Sequence, residues 1–146
     1  MIRIYGFTLI ELMIAIGLAG ILITVGIPSY LDLIQRNIVT TTSNDLLGAL
    51  LYARSEAVRQ EVTATLTPEA DGWLLTSGGV TLLDHTIDSN HITIDGDPLT
   101  YSPRGRAGLV ATQSIDVSYK GTLVSHVCLS LTGRPFIKMV EDGGCP

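Results

Sequence analysis

The chain has 146 residues and 15.6 kDa, room for one domain of ordinary size. Hydrophobic residues make up 46 % and charged residues 16 %, a composition that does not suggest disorder, and two cysteines exclude a four-cysteine zinc site. The formal net charge of −5 argues against a wholesale polyanion binder but leaves local patches open. Mean hydropathy is high at +0.39, and the excess sits at the N-terminal end.

Twenty residues from Leu12 to Leu31, LMIAIGLAGILITVGIPSYL, carry no charge. As an α-helix they would be about 30 Å long, the thickness of a membrane's hydrocarbon core. A membrane anchor, a secretory signal peptide and a buried core helix are the competing readings. A core helix in so small a domain seldom stays apolar on every side. A secretory signal ends in a small-residue cleavage site, and no convincing A-x-A-like site follows this run. Glu11 stands at its edge, where a carboxylate is expensive unless paired and is a functional candidate by default.

The residues before Glu11 explain it. Met1–Gly6 is short, carries Arg3 and ends in Gly, and Phe7-Thr8-Leu9-Ile10-Glu11 follows. The string GFTLIELMIAI resembles the prepilin signature of type IV pilins and type II secretion pseudopilins. That resemblance implies a prepilin peptidase that cuts between Gly6 and Phe7 and N-methylates Phe7, leaving the apolar segment on the mature protein. It also implies that Glu11 pairs in the filament core with the methylated amine of a neighbouring subunit. In assembled filaments the family's helix is locally melted, here between Gly20 and Pro28.

Beyond the apolar run, Leu31, Ile34, Ile38, Leu46, Leu50, Ala53 and Ala57 recur at helical spacing, with a gap at Thr42. A helix from about Phe7 to Gln60 would be roughly 80 Å long, so its first half must project from any globule this chain can form. Pro28 predicts a kink, and Thr40-Thr41-Thr42-Ser43 predicts a loosened middle. After Gln60 the period changes to two. Short β-rich runs are expected at Glu61–Thr67, Trp73–Thr76, Val80–Leu83, His91–Ile94, Leu99–Ser102, Ser114–Tyr119, Leu123–Leu131 and Pro135–Val140, separated by Gly-containing turns. The predicted class is α+β: a long N-terminal helix packed on a mainly antiparallel sheet or sandwich.

The segments LLGALLYARSEAVRQ, DGWLLTSGG, YSPRGRAG and CLSLTGRPFI narrow the resemblance to minor type IV pilins and minor pseudopilins of the FimT/FimU/GspH kind. The organisation this implies is a leader at 1–6, a helix at 7–60 with 7–31 in the membrane or filament core, and a β-rich head at 61–146. A single-pass inner-membrane protein is expected, its head in the periplasm, later moved into a pilus or a periplasmic pseudopilus. The implied partners are other major and minor pilins, the prepilin peptidase and the assembly machinery. Some relatives also bind double-stranded DNA during uptake.

With Arg3 favouring a cytoplasmic start, the head lies where a disulfide is permitted. Cys128 and Cys145 are then either bonded, stabilising the head by about 3 kcal/mol on the loop-entropy argument, or two free thiols. His85, His91 and His126 match no strong metal or Cys–His spacing, and Asp95-Gly96-Asp97-Pro98 reads as a turn rather than a calcium loop. No enzyme motif is present, and no cofactor is implied.

Charge is unevenly placed. Glu61, Glu69, Asp71, Asp84, Asp88, Asp95 and Asp97 fall between Gln60 and Pro103 with no Lys or Arg among them. Arg104, Arg106, Lys120, Arg134 and Lys138 follow, with Asp116 the one acid from Thr100 to Val140. An internal electrostatic match, solvated faces, a subunit-docking surface and a DNA-contact patch all fit this pattern. The DNA-binding relatives carry a Gly-Arg-x-Arg element. Here it reads Gly133-Arg134-Pro135-Phe136, with the second arginine replaced.

Overall fold

The long helix begins where side chains satisfy its free backbone donors. Thr8 Oγ1 accepts from the Glu11 N–H at 3.3 Å, and the Glu11 carboxylate accepts from the Thr8 N–H at 3.4 Å. This reciprocal capping box, T-x-x-E, fixes Thr8 as the cap and starts α1 (Leu9–Gln60) two residues after the expected Phe7. The computed structural model describes residues 7–88, 91–107 and 112–146, without the side chains of Val25, Pro28, Ser29, Leu31 and Asp32. Gly6 and the rest of the leader lie outside the described residues. The chain divides into two compact units, one ending at Asn37 and one running from Ile38 to Pro146.

The α-helical assignment continues through position 28 and through Thr40–Ser43. The loosening expected at the Thr/Ser run does not occur. Thr42 and Ser43 are buried, and Ser43 Oγ shares a 2.7 Å hydrogen bond with Ser125 Oγ in the sheet beneath. That tertiary contact outweighs a weak local propensity. Thr42 itself fills the gap in the apolar stripe, beside Val39, Leu46, Leu50, Ala53 and Ala57. Near the helix end, the Arg59 guanidinium and then the Gln60 amide bond to the buried Glu56 carboxylate and hold it below the usual range.

Among the described residues eight strands follow: β1 (Ala64–Glu69), β2 (Gly72–Ser77), β3 (Val80–Thr86), β4 (Ile92–Gly96), β5 (Leu99–Tyr101), β6 (Gln113–Tyr119), β7 (Thr122–Leu129) and β8 (Pro135–Met139). They form two four-stranded sheets, ordered β3-β2-β1-β5 and β4-β6-β7-β8, and every neighbouring pair is antiparallel. β1 starts later than the alternation predicts because the chain leaves the helix through Glu61, at φ 57°. Ala64, Leu66, Leu75, Leu99 and Tyr101 of one sheet and Ile94, Ile115, Val117, Val127 and Leu129 of the other join the helix stripe in one core. Their alternation with exposed or half-buried residues is what a two-layer β structure with one covered face requires.

Candidate functional site

At the N-terminal end Phe7 and Glu11 are both exposed, and a side chain added at Gly20 would meet nothing within 4 Å. Gly6 and the Pro28 side chain lie outside the described residues. Among the described residues no helix is long and apolar enough to cross a membrane. The charge-free run includes Val25, Pro28, Ser29 and Leu31, whose side chains are not among them.

Three of the head's five basic residues, Arg104, Arg106 and Arg134, gather at two turns built alike. Ser102-Pro103-Arg104-Gly105-Arg106 follows β5 and is closed by the Tyr101–Ala107 bridge; Ser130-Leu131-Thr132-Gly133-Arg134 joins β7 to β8 and is closed by the Leu129–Pro135 pair. In the first, Ser102 Oγ donates to Arg106 O at 3.0 Å and accepts from its N–H at 3.3 Å, while Gly105 N–H donates to Ser102 O at 2.8 Å. In the second, Ser130 makes the same bonds with Arg134 at 3.0 and 3.1 Å, and Gly133 N–H donates to Ser130 O at 2.8 Å. Both glycines occupy the left-handed region, at φ 68° and 79°.

The two turns meet glycine to glycine. A Cβ on Gly133 would lie 2.7 Å from Gly105 O, and one on Gly105 would lie 2.9 Å from Val58 Cγ2 and 3.3 Å from Arg54 Nε. Arg54 on α1 also points Nη2 at Thr132 O, 3.5 Å away. Arg54 thus joins Arg104, Arg106 and Arg134 at one end of the head. Tyr101 lies beneath the turns, fully buried, and burial pushes its hydroxyl up to about 12 against the opposing pull of Arg54.

Lys120 and Lys138 stand elsewhere. Lys120 sits in the β6–β7 turn, 5.4 Å from the centre of the Tyr119 ring. The eight residues of β7 separate it from the Ser130 turn, roughly 25 Å at strand rise. Lys138 Nζ donates to the Asp142 and Gly144 carbonyls, each at 3.3 Å. Cys128 and Cys145 form a disulfide with Cα atoms 5.7 Å apart, so bond and lysine together hold the C-terminal segment on β7 and β8. The sequence reading missed Arg54 and the S-x-x-G-R repeat at 102–106 and 130–134, which is legible once the two strings are aligned.

The histidines are engaged in the sheets. His85 stacks on Trp73 with ring centroids 4.1 Å apart, and His126 Nδ1 lies 2.7 Å from Asp116 Oδ1. Among the described residues no group of three His, Cys, Asp or Glu could hold a metal ion.

A capped N-terminal helix laid on two antiparallel sheets, preceded by a Gly-Phe-Thr-Leu-Ile-Glu string, defines a protein of the type IV pilin and pseudopilin class. Residues 1–27 match the prokaryotic N-terminal methylation motif. Residues 42–133 match the family described as type II transport protein GspH, and the chain belongs to that family. Two fimbrial proteins of Pseudomonas aeruginosa are each 32 % identical over 124 residues, covering 82 % of this chain and 76 % of theirs. In fold the chain is similar to the type IV minor pilin FimU of P. aeruginosa strain PAO1. One crystal form of FimU gives a TM-score of 0.60 at 19 % identity over 77 % of this chain and 95 % of that one. A second gives 0.55 at 18 % identity over 73 % and 96 %.

Proposed function

We propose that this protein is a minor type IV pilin, a structural subunit that helps start or cap a pilus. It is made as a prepilin, cut after Gly6 and N-methylated at Phe7. The apolar part of α1 then anchors it in the inner membrane with the head in the periplasm, until it moves into the filament. The observation that carries this reading is the 32 % identity to fimbrial proteins across most of the chain. The string GFTLIE supplies its chemistry, since the apolar run must survive cleavage if it is to anchor and pack the subunit. Mass spectrometry of membrane-extracted protein should show loss of Met1–Gly6 and gain of one methyl on the Phe7 amine. A mature start within residues 17–28 would mean an ordinary signal peptide and would end the pilin reading.

The description of the matched family favours a second reading, a minor pseudopilin of type II secretion. Recovery of the chain in filaments sheared from the cell surface supports the pilus. Confinement to the periplasm in a secreting strain supports the pseudopilus. A third reading, a DNA-uptake subunit, draws on the gathering of Arg104, Arg106 and Arg134, with Lys120 and Lys138 lying apart from them.

A further inference from the structure

The backbone beside the cut is shaped by one hydroxyl. The first helical hydrogen bond of α1 runs from the Leu12 N–H to Thr8 O at 3.2 Å. One residue earlier, the Glu11 N–H would reach Phe7 O if the helix continued at its i to i−4 spacing. It donates instead to Thr8 Oγ1 at 3.3 Å, and α1 starts at Leu9. Phe7 therefore stands outside the helix, 83 % exposed, directly after the peptide bond that joins it to Gly6. The hydroxyl engages the backbone of Glu11, so this stop does not depend on the Glu11 carboxylate, which accepts from the Thr8 N–H.

A stop at this point runs against the sequence around it. Leu9, Leu12 and Met13 are good helix formers. A membrane edge favours helix further, because a backbone N–H away from water must find its partner within the chain. Without the hydroxyl, the nearest helical acceptor for the Glu11 N–H is Phe7 O, and α1 grows one residue toward the cut. Leader removal adds water across the Gly6–Phe7 bond: its hydroxyl goes to the Gly6 carbonyl carbon, and a hydrogen goes to the Phe7 nitrogen, which departs as the amine. An enzyme that grips the chain beside that bond uses backbone N–H and C=O groups, which extended chain offers and helix has already spent. The match of residues 1–27 to the N-terminal methylation motif independently marks this end of the chain as a substrate.

We infer that Thr8 is a positioning residue for leader removal: its hydroxyl ends α1 at Leu9 and so presents the Gly6–Phe7 bond to the prepilin peptidase as extended chain. The inference rests on the prepilin reading. Full-length chain in detergent micelles is given to purified prepilin peptidase, and initial rates are followed by mass spectrometry of the released Met1–Gly6 peptide. Thr8→Val keeps the side-chain shape and loses the acceptor. Its kcat/KM should fall about fivefold, through KM with kcat unchanged, since only the fraction of chains with an open cut site binds. Thr8→Ser and Thr8→Asn should be cut like wild type, because both cap at least as well as threonine. Cleavage of Thr8→Val at the wild-type rate overturns the inference, as does a fall carried by kcat alone. Thr8→Asn as slow as Thr8→Val, with Thr8→Ser normal, also overturns it, because the peptidase then reads the hydroxyl itself. Retention of the Cys128–Cys145 disulfide shows that the head of each variant has folded. A wild-type chain that is not cut at Phe7 ends the prepilin reading, whereas a cut wild type with Thr8→Val unaffected ends the role of Thr8 alone.

Discussion

Glu11 carries two roles that ordinary alanine replacement cannot separate. Its carboxylate closes the capping box with Thr8, and we propose from the prepilin resemblance that it is also the charge partner of a neighbour's Phe7 amine. Glutamine keeps the first role and loses the second. Glu11→Ala should cost about 1 kcal/mol of helix-start stability and also impair incorporation into filaments, whereas Glu11→Gln should keep the cap and still fail to incorporate. Equal recovery of Glu11→Gln and wild type in sheared filaments would remove the charge pairing. Tyr101 is a second informative residue. Its hydroxyl is buried without a hydrogen-bond partner among the described residues, and its folded pKa of about 12 lies above the usual value near 10. A raised value means the neutral form is favoured in the fold. The contribution is therefore complete below about pH 10 and is lost as pH rises toward 12, of order 2–3 kcal/mol. Tyr101→Phe in detergent micelles should unfold with a flatter dependence on pH in that window and with no loss of stability at neutral pH.

At the scale of elements, the two turns differ from the other glycine turns in what surrounds them. Gly133 has no room for a methyl group against Gly105 O, whereas Gly121 sits at φ 77° with nothing within 4 Å. Gly121→Ala should cost about 1 kcal/mol, the strain of the left-handed region alone. Gly133→Ala should cost about 2–4 kcal/mol, because the carbonyl of the facing turn must also move. Thermal unfolding of both variants in one detergent gives the comparison, and similar costs would mean the turns do not press on each other. The strands and their Gly turns were legible in the sequence, since Leu66, Ile94 and Val117 alternate cleanly with polar neighbours. The intact helix at Thr40–Ser43 was not. Its reason is Ser125, 82 residues away, and no local window contains that bond. The meeting of the two arginine turns was hidden for the same reason: one belongs to each sheet, and only the packing of sheet on sheet brings Gly105 to Gly133.

For the whole molecule, the closing step is the attachment of the C-terminal segment. The Cys128–Cys145 bond closes 16 intervening residues, and Lys138 holds the same segment through two carbonyls. Reduction should lower the stability of the head by about 3 kcal/mol. A reductant series read by thermal unfolding should show that loss, and Lys138→Ala should add little to it once the bond is gone. The two-cysteine arithmetic and the compartment were enough to anticipate the bond. The part played by Lys138 was not visible, because as a member of a basic run it reads as surface charge. The net charge of −5 also hid the arrangement that matters, since a sum over the chain is silent about which end of a sheet each side chain reaches.

The clasp between the turns has a consequence for how such a surface diversifies. Ser102, Gly105, Ser130 and Gly133 do the holding, with Thr132 Oγ1 bonded to Ser130 Oγ, while Pro103, Arg104 and Leu131 stand exposed at the tips. The frame is thus uncoupled from what it displays. Replacement of the three tip residues would give the head a new recognition vocabulary without renegotiating its interior, much as interchangeable bits fit one driver.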